Sequence, residues 1–395
     1  MKTIYLDNNA TSMVAPEVLE EMLPYFKEYY GNPSSMHNFG GQVEKKIEEA
    51  REKVAALIGA EPFEIIFTSC GTESDNTAIN SAVRQNPDKK HIITTRVEHP
   101  AVLSYCSFLE KNGYKITYLD VDKKGNLDLN QLENLITDNT ALVTIMYANN
   151  ETGVIFPIEE IGKIVKSREV FFHTDGVQAV GKINLNMREN TVDMLTLSGH
   201  KIHAPKGIGA LYVKRGTKFR PFIIGGHQER NRRGGTENVP YIIGLGKAAE
   251  LSKKHMESES PRIKALRDKL ENGLVDKIEG ALINGDRRNK LSNTLNVSFE
   301  YIEGEAILLH MDDRGIAASS GSACTSGSLE PSHVLRAMGI PYTAAHGSIR
   351  FSLSRYNTED EIDYVIEILP PIIEKLREIS PFGKDKKKYE TFSFA

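Results

Sequence analysis

Apolar positions in the first half of the chain alternate between two periods. Val43, Ile47, Ala50, Val54 and Leu57 recur at steps of four and three, which draws one apolar stripe down a helix. Short β-rich runs follow at 65–68, 92–95, 116–119, 142–146, 170–174, 194–197 and 210–213. Several are nearly all apolar, as strands covered on both faces of a parallel sheet are. Helix-compatible segments separate most of them, so the pattern predicts an α/β layer structure.

Near residue 256 the texture changes. Residues 255–261 are polar, and a new helix stripe begins with Ile263, Leu266, Leu270 and Leu274. Beyond it come an apolar run at 295–299, a Gly/Ser-rich stretch at 319–328 and a strand-like run at 348–353. Thr358 and Glu361 form a capping-box pattern that opens a helix carrying Ile362, Val365, Ile366 and Leu369. Pro370 and Pro371 are expected to stop or kink it. The last residues, with Lys384-Asp385-Lys386-Lys387-Lys388, read as a solvated tail. The expected organisation is a large α/β domain over 14–256, a smaller α+β domain built from 1–13 and 257–380, and a tail over 381–395.

Composition narrows the function classes. A chain of 395 residues is too long for one ordinary core, which fits two domains or more. Its net charge of -4 gives no reason to expect nucleic acid or an anionic membrane as a partner. Asp7 interrupts the start before any apolar run, which argues against a secretory signal, and no stretch is long enough to span a bilayer. Three cysteines, Cys70, Cys106 and Cys324, form no CxxC pair, so neither a disulfide framework nor structural zinc is expected. A cytoplasmic setting fits best.

Candidate chemistry sits where the elements meet. Phe67-Thr68-Ser69-Cys70-Gly71-Thr72 carries a strand into a turn, and a helix pattern begins at once. Free N–H groups at such a helix start, joined by a threonine hydroxyl, make a phosphate site; a plain N-cap has the same look. Asp175 ends an apolar strand, where α/β sheets place ligand-binding groups. A buried acid there needs a cation, such as a protonated pyridine nitrogen, or it loses its charge; an ordinary N-cap is the alternative. Ser198-Gly199-His200-Lys201 follows another strand end. A lysine in a concave, partly apolar site can form a Schiff base, although a turn lysine is more often solvated. Phosphate-type helix start, strand-end acid and strand-end lysine are together the three anchors that pyridoxal phosphate requires. Cys324, in Ser320-Gly321-Ser322-Ala323-Cys324-Thr325-Ser326, has only small flanks. That suits a nucleophile on a travelling loop, and an adventitious loop cysteine equally.

In order along the chain, Leu6-Asp7-Asn8-Asn9-Ala10-Thr11, Gly31-Asn32-Pro33-Ser34-Ser35, Met146-Tyr147-Ala148-Asn149-Asn150-Glu151, Ser198-Gly199-His200-Lys201 and Ser320-Gly321-Ser322-Ala323-Cys324 resemble the NifS/IscS-type cysteine desulfurases, class-V aminotransferases of fold type I. The resemblance runs from Tyr5 to about Ser380, and Asn8-Asn9 with Gly235-Thr236-Glu237-Asn238 lean toward the NifS branch. It implies a large domain with a mainly parallel seven-stranded sheet plus a smaller α+β domain. Lys201 matches the Schiff-base lysine, Asp175 the partner of the pyridine nitrogen, and Gln178 and Asn150 groups that contact the phenolic oxygen or substrate. Gly71, Thr72, Ser198 and His200 match the phosphate cradle, and Thr236 a phosphate ligand from the neighbouring subunit of a homodimer. His99 matches the ring-stacking imidazole that also transfers protons, and Arg350 the clamp for the substrate carboxylate. Cys324 matches the acceptor that takes sulfur from L-cysteine as a persulfide and releases L-alanine.

The resemblance also implies delivery of that sulfur to an iron–sulfur scaffold or another acceptor, with nitrogen fixation one destination. It extends to Cys324 as an iron–sulfur ligand, a metal contact shared with the scaffold through a transient 2Fe–2S cluster. Direct nucleic-acid or membrane binding is not implied. Rival readings on the same fold are a selenocysteine lyase or an aminotransferase, and outside catalysis a scaffold protein. Cys70 stands where many IscS-type relatives carry glycine and is expected to be a packed neutral thiol. His37, His173, His203 and His227 are expected to serve local packing or capping.

Overall fold

The computed structural model describes residues 3–320 and 330–380. Its strands, in chain order, are β1 (Ile4–Tyr5), β2 (Ile65–Thr68), β3 (His91–Thr95), β4 (Lys115–Leu119), β5 (Thr140–Thr144), β6 (Phe171–Asp175), β7 (Met194–Ser198), β8 (Gly209–Val213), β9 (Ala281–Ile283), β10 (Thr294–Phe299), β11 (Ile316–Ala317) and β12 (Ser348–Ser352). Each of the seven β-rich runs of the first half becomes a strand of one seven-stranded sheet, ordered β2-β8-β7-β6-β5-β3-β4. Pairing is parallel except around β8, which runs antiparallel to both β2 and β7. Strands β3, β5, β7 and β8 are buried along their whole length, which explains their unbroken apolar or threonine-rich sequences.

One core forms where the helix Asn38–Ile58 and the start of the helix Val239–Lys277 pack on this sheet. Another gathers Leu6, Leu270, Leu274, Val297, Phe351 and Val365, with β12-β10-β9 as its antiparallel sheet. Strand β1 pairs with β11, so the N-terminal residues belong to this second core and then cross to the first.

At two places where a helix is expected to end or bend, it does not end. The helix Val239–Lys277 runs for 39 residues through the polar stretch and through Pro261. Its first part buries Ile242, Leu245 and Ala249 in one core, and its last part buries Leu266, Leu270 and Leu274 in the other. Between the cores it has no apolar surface to face, so its sequence turns polar without the backbone ending. The expected boundary at 256/257 therefore falls inside one continuous helix. Likewise the helix Glu359–Ile379 continues past Pro370 and Pro371. Ile372, Ile373 and Leu376 are buried beyond them. Three such side chains contribute about 1.5–3 kcal/mol each, comparable with about 3 kcal/mol lost at each proline. Among the described residues no helix is long and apolar enough to cross a membrane.

Candidate active site

The C-terminal ends of β6 and β7 face the start of the helix Gly71–Gln85, which follows β2. Cys70 caps that helix, its Sγ accepting from the Glu73 N–H at 3.5 Å. A Cβ on Gly71 would lie 3.1 Å from Val177 Cγ2 and 3.5 Å from Ser198 Cβ, so glycine keeps this space open. The buried Ser198 Oγ has no hydrogen-bond partner among the described residues. His200 Nδ1 lies 3.1 Å from Thr11 Oγ1. First-turn N–H groups, the Thr72 and Ser198 hydroxyls and the His200 ring thus converge on a gap kept clear by a missing side chain. That donor set fits a phosphate.

Asp175 ends β6 with Oδ1 accepting from Val177 N–H at 2.9 Å. Burial pushes its carboxyl up to about 6, while that N–H and the Lys201 ammonium pull the other way. Asp75, fully buried beside it, is raised well above the carboxylate range by burial and by Asp175. Asp75 Oδ1 lies 3.6 Å from His173 Nε2. His173 is itself held between Thr144 Oγ1 at 2.8 Å and Thr196 Oγ1 at 3.0 Å, and burial pushes it down to about 3. The neutral His173 brings Asp75 no counter-charge, and among the described residues Asp175 has only the Lys201 charge set against its burial. A protonated ring nitrogen would supply one, so the acid also fits pyridoxal phosphate.

Lys201 ends the short turn Gly199–Lys201 after β7, and its Nζ donates to the Asn9 and Ala10 carbonyls at 2.6 and 2.7 Å. Gln178 Nε2 donates to the same Asn9 carbonyl at 3.1 Å. His99 caps the helix Pro100–Lys111, with Nδ1 accepting from Ala101 N–H at 3.1 Å. An accepting Nδ1 places the proton of the neutral ring on Nε2. Burial first, then the charges of Lys201 and His333, pushes His99 down to about 4. Arg350, on β12, donates through Nη2 to Asp7 Oδ1 at 2.7 Å and through Nη1 to the Asn150 carbonyl at 3.2 Å. Its buried Nε has no partner among the described residues.

These groups line one cavity of about 350 Å³, at the small end of ligand-pocket sizes. It contains Gly71, Thr72, His99, Asn150, Asp175, Gln178, Ser198, His200, Lys201 and Arg350. Two expected residues are not there. Cys324 lies outside the described residues. Thr236 is exposed and lines no part of this cavity in its own chain. Sequence reasoning passed over Asp75, Glu98, Glu151 and His333, which the fold brings to this region. Burial pushes Glu98 up to about 8 and Glu151 to about 7. Glu98 and Glu151 stand next to His99 and Asn150 in the chain, and Asp75 lies in the turn-to-helix segment of Gly71. Adjacency to a motif was their one sequence signal.

The four histidines without an expected chemical role all make local contacts. His37 caps its helix through Gly40 N–H, His203 Nδ1 lies 2.9 Å from the Met13 carbonyl, and His227 Nδ1 lies 2.7 Å from Asn231 Oδ1. His173 is the buried ring described above.

Ahead of Thr236, Glu229, Arg230 and Asn231 take φ of 46°, 57° and 64° in succession. Left-handed backbone at three consecutive L-residues is strained. Arg51 grips Glu229 with Nη1–Oε2 at 2.7 Å and Nη2–Oε1 at 3.0 Å, both side chains buried, and Phe67 N–H adds a bond to Oε2 at 3.0 Å.

Comparison with known proteins agrees with this geometry. The family described as Aminotransferase class-V matches residues 4–365. The chain is 65% identical over 386 residues to a cysteine desulfurase of Trichormus azollae, covering 98% of this chain and 96% of the relative. It is 58% identical over 383 residues to the cysteine desulfurase NifS of Azotobacter vinelandii, covering 97% and 95%. Among solved structures, a NifS-like protein at 41% identity superposes with a TM-score of 0.89, covering 95% of this chain and 100% of that one. A cysteine desulfurase from Thermococcus onnurineus NA1, in its apo form, gives a TM-score of 0.84 at 27% identity, with 95% of each chain covered.

Proposed function

This chain belongs to the class-V aminotransferase family, and we propose that within it the chain is a pyridoxal-phosphate-dependent cysteine desulfurase. The observation that carries the reading is one cavity holding Lys201 Nζ, the Asp175 carboxyl and the open helix start at Gly71. Gly71, Thr72, Ser198 and His200 would hold the cofactor's phosphate, Asp175 its ring nitrogen, and Lys201 its aldehyde carbon. The cofactor, when bound, supplies an electron sink that acidifies the substrate Cα–H and weakens the Cβ–S bond.

The chain's own residues do the rest. Arg350 receives the carboxylate of L-cysteine, its guanidinium already oriented by Asp7 and the Asn150 carbonyl. Lys201 would be the base that takes the Cα proton, and the Asn9 and Ala10 carbonyls limit where its amine sits. His99 is neutral near pH 7, because burial holds it at about 4, and its Nε2–H is offered as a hydrogen-bond donor to the substrate sulfur. The Cys324 thiolate attacks the substrate sulfur. The Cβ–S bond breaks, an S–S bond forms on Cys324, and L-alanine leaves after Cβ and Cα are reprotonated. Enzyme thiol plus L-cysteine therefore gives enzyme persulfide plus L-alanine, with atoms and electrons balanced.

We further propose that the protein works as a homodimer in which Thr236 of each subunit completes its neighbour's phosphate site. The persulfide is passed to an iron–sulfur scaffold, with Cys324 touching the growing cluster as cargo. The test is chemical. Purified protein is expected to carry a visible chromophore that borohydride bleaches and that Lys201→Ala lacks. Cys324→Ser is expected to stop release of L-alanine from L-cysteine. A protein that pyridoxal phosphate cannot colour overturns the cofactor assignment, and full alanine release by Cys324→Ser overturns the sulfur role.

A further inference from the structure

Lys182 follows Gln178 by one helical turn of sequence and has no place in the chemistry above. It is half-buried and lines a second, smaller cavity of about 70 Å³ that Lys201 also lines. Its Nζ donates to Gln178 Oε1 at 2.8 Å. Among the described residues no carboxylate pairs with it. Burial, and behind it the charges of Lys201 and Arg350, pushes its amine down to about 7. A lysine placed against two cations without an acid gains little by way of ordinary ion pairing. Its contact with Gln178 is what the fold retains.

That contact settles an amide that would otherwise be ambiguous. A glutamine side chain presents an acceptor on one side and two donors on the other, and it can turn over. The Asn9 carbonyl can only accept, so it requires Gln178 Nε2 on its side, at 3.1 Å. In its protonated form Lys182 can only donate, and that form requires Oε1 on the opposite side. The two constraints agree. One Nε2 proton is used by Asn9, and the second is left for the large cavity that Gln178 lines.

We propose that Lys182 is a positioning residue: by holding Gln178 Oε1 it keeps Gln178 turned to offer an N–H donor rather than an acceptor to whatever occupies the cavity. This rests on the cofactor reading above, in which the occupant would present an anionic phenolic oxygen. A donor stabilises that oxygen, whereas a turned amide would repel it. Lys182 thus acts through Gln178 without touching substrate.

The experiment has one arm that needs no cofactor. In cofactor-free protein with 15N-labelled glutamine, the Gln178 side-chain N–H pair, assigned by its loss in Gln178→Ala, is expected to exchange slowly. Lys182→Met is expected to speed that exchange about tenfold or more, the size of one hydrogen bond to a charged group. Lys182→Arg, which keeps a donor, is expected to restore it. Lys182→Leu stands in if the methionine variant does not fold. In protein loaded with pyridoxal phosphate, Lys182→Met is expected to weaken cofactor retention about tenfold and to raise the pH of the visible spectral transition by about one unit. In a Gln178→Ala background the same change is expected to have no further effect. Unchanged Gln178 exchange in Lys182→Met overturns the inference, as does a full spectral effect without Gln178. A wild-type protein that takes up no cofactor would sink the proposed function instead, and the exchange arm would still decide this one.

Discussion

Glu229→Gln puts an amide where Arg51 now finds two carboxylate oxygens, so one of two charge-assisted bonds becomes a donor facing a donor. The turn that this pair holds is expensive. Left-handed backbone costs an L-residue about 1–2 kcal/mol, so Glu229, Arg230 and Asn231 together store about 3–6 kcal/mol. Removing one partner of a buried ion pair costs about 3–5 kcal/mol. Holding energy and stored strain are of the same size, so losing the pair should let the segment open locally while the sheet stays folded. At about 1.4 kcal/mol per factor of ten, amides from 228 to 236 should exchange roughly a hundred- to several-thousand-fold faster. Hydrogen exchange read by mass spectrometry measures this, with the buried strands β5 and β7 as an unchanged reference. If Thr236, at the end of this segment, holds phosphate in the neighbouring subunit as proposed, looser cofactor retention should accompany the opening. Exchange within tenfold of wild type across 228–236 would refute the reasoning, as would equal acceleration throughout the sheet. Replacing both partners by apolar residues (Arg51→Met with Glu229→Leu) should be milder than either single change, since no lone charge is left buried.

Other outcomes follow from the same contacts. His173 is held at about 3 against an ordinary 6.5. Its folded value is the lower one, so its stability contribution is present above pH 6.5 and is lost as pH falls toward 3. It accounts for about 2 kcal/mol lost between roughly pH 7 and pH 5. His173→Asn should flatten the decline of the denaturation midpoint across that range, and an unchanged decline would count against it. Arg350→Lys keeps the charge but loses the fork that binds Asp7 and the Asn150 carbonyl. KM for L-cysteine should rise about ten- to a hundredfold with a smaller change in kcat, whereas an unaltered KM would remove Arg350 from substrate binding. Gly71→Ala fills the gap between Val177 and Ser198 without disturbing a helix start. Equilibrium dialysis should then show pyridoxal phosphate held about tenfold more weakly, and equal affinity would mean that the phosphate sits elsewhere.

Periodicity located all seven strands of the main sheet, because most of them are buried on both faces and leave short apolar or threonine-rich runs. It misjudged the helix Val239–Lys277 because a helix spanning two cores is polar in the middle for the same reason that a loop is polar. It did not show that the helix runs on past Pro370 and Pro371, because the gain from Ile372, Ile373 and Leu376 appears only once the second core exists. At the site, Lys201, Asp175 and Gly71 were legible because each stands at a strand end or a helix start, positions where the local sequence pattern and the chemistry coincide. Asp75, Glu98 and Glu151 were not, since their meaning comes from full burial beside other charges, which no local pattern encodes. Lys182 was hidden for a different reason. Its role depends on which end of an amide faces it, and that is settled by the Asn9 carbonyl from the far end of the chain.

The unbroken helix Val239–Lys277 sets how the two halves of the catalytic cavity can move. At about 1.5 Å per residue it is a beam of about 58 Å, anchored in one core at its start and in the other at its end. Lys201 belongs to the first core's sheet, and Arg350 lies on a strand of the second. A beam has no free joint, so closure over a small amino acid must come from flexing or twisting along its length. A bend of about 10° near Pro261 would swing the last 16 residues through only about 4 Å at the tip. The register between the Lys201 amine and the Arg350 guanidinium is thereby kept to small tolerances.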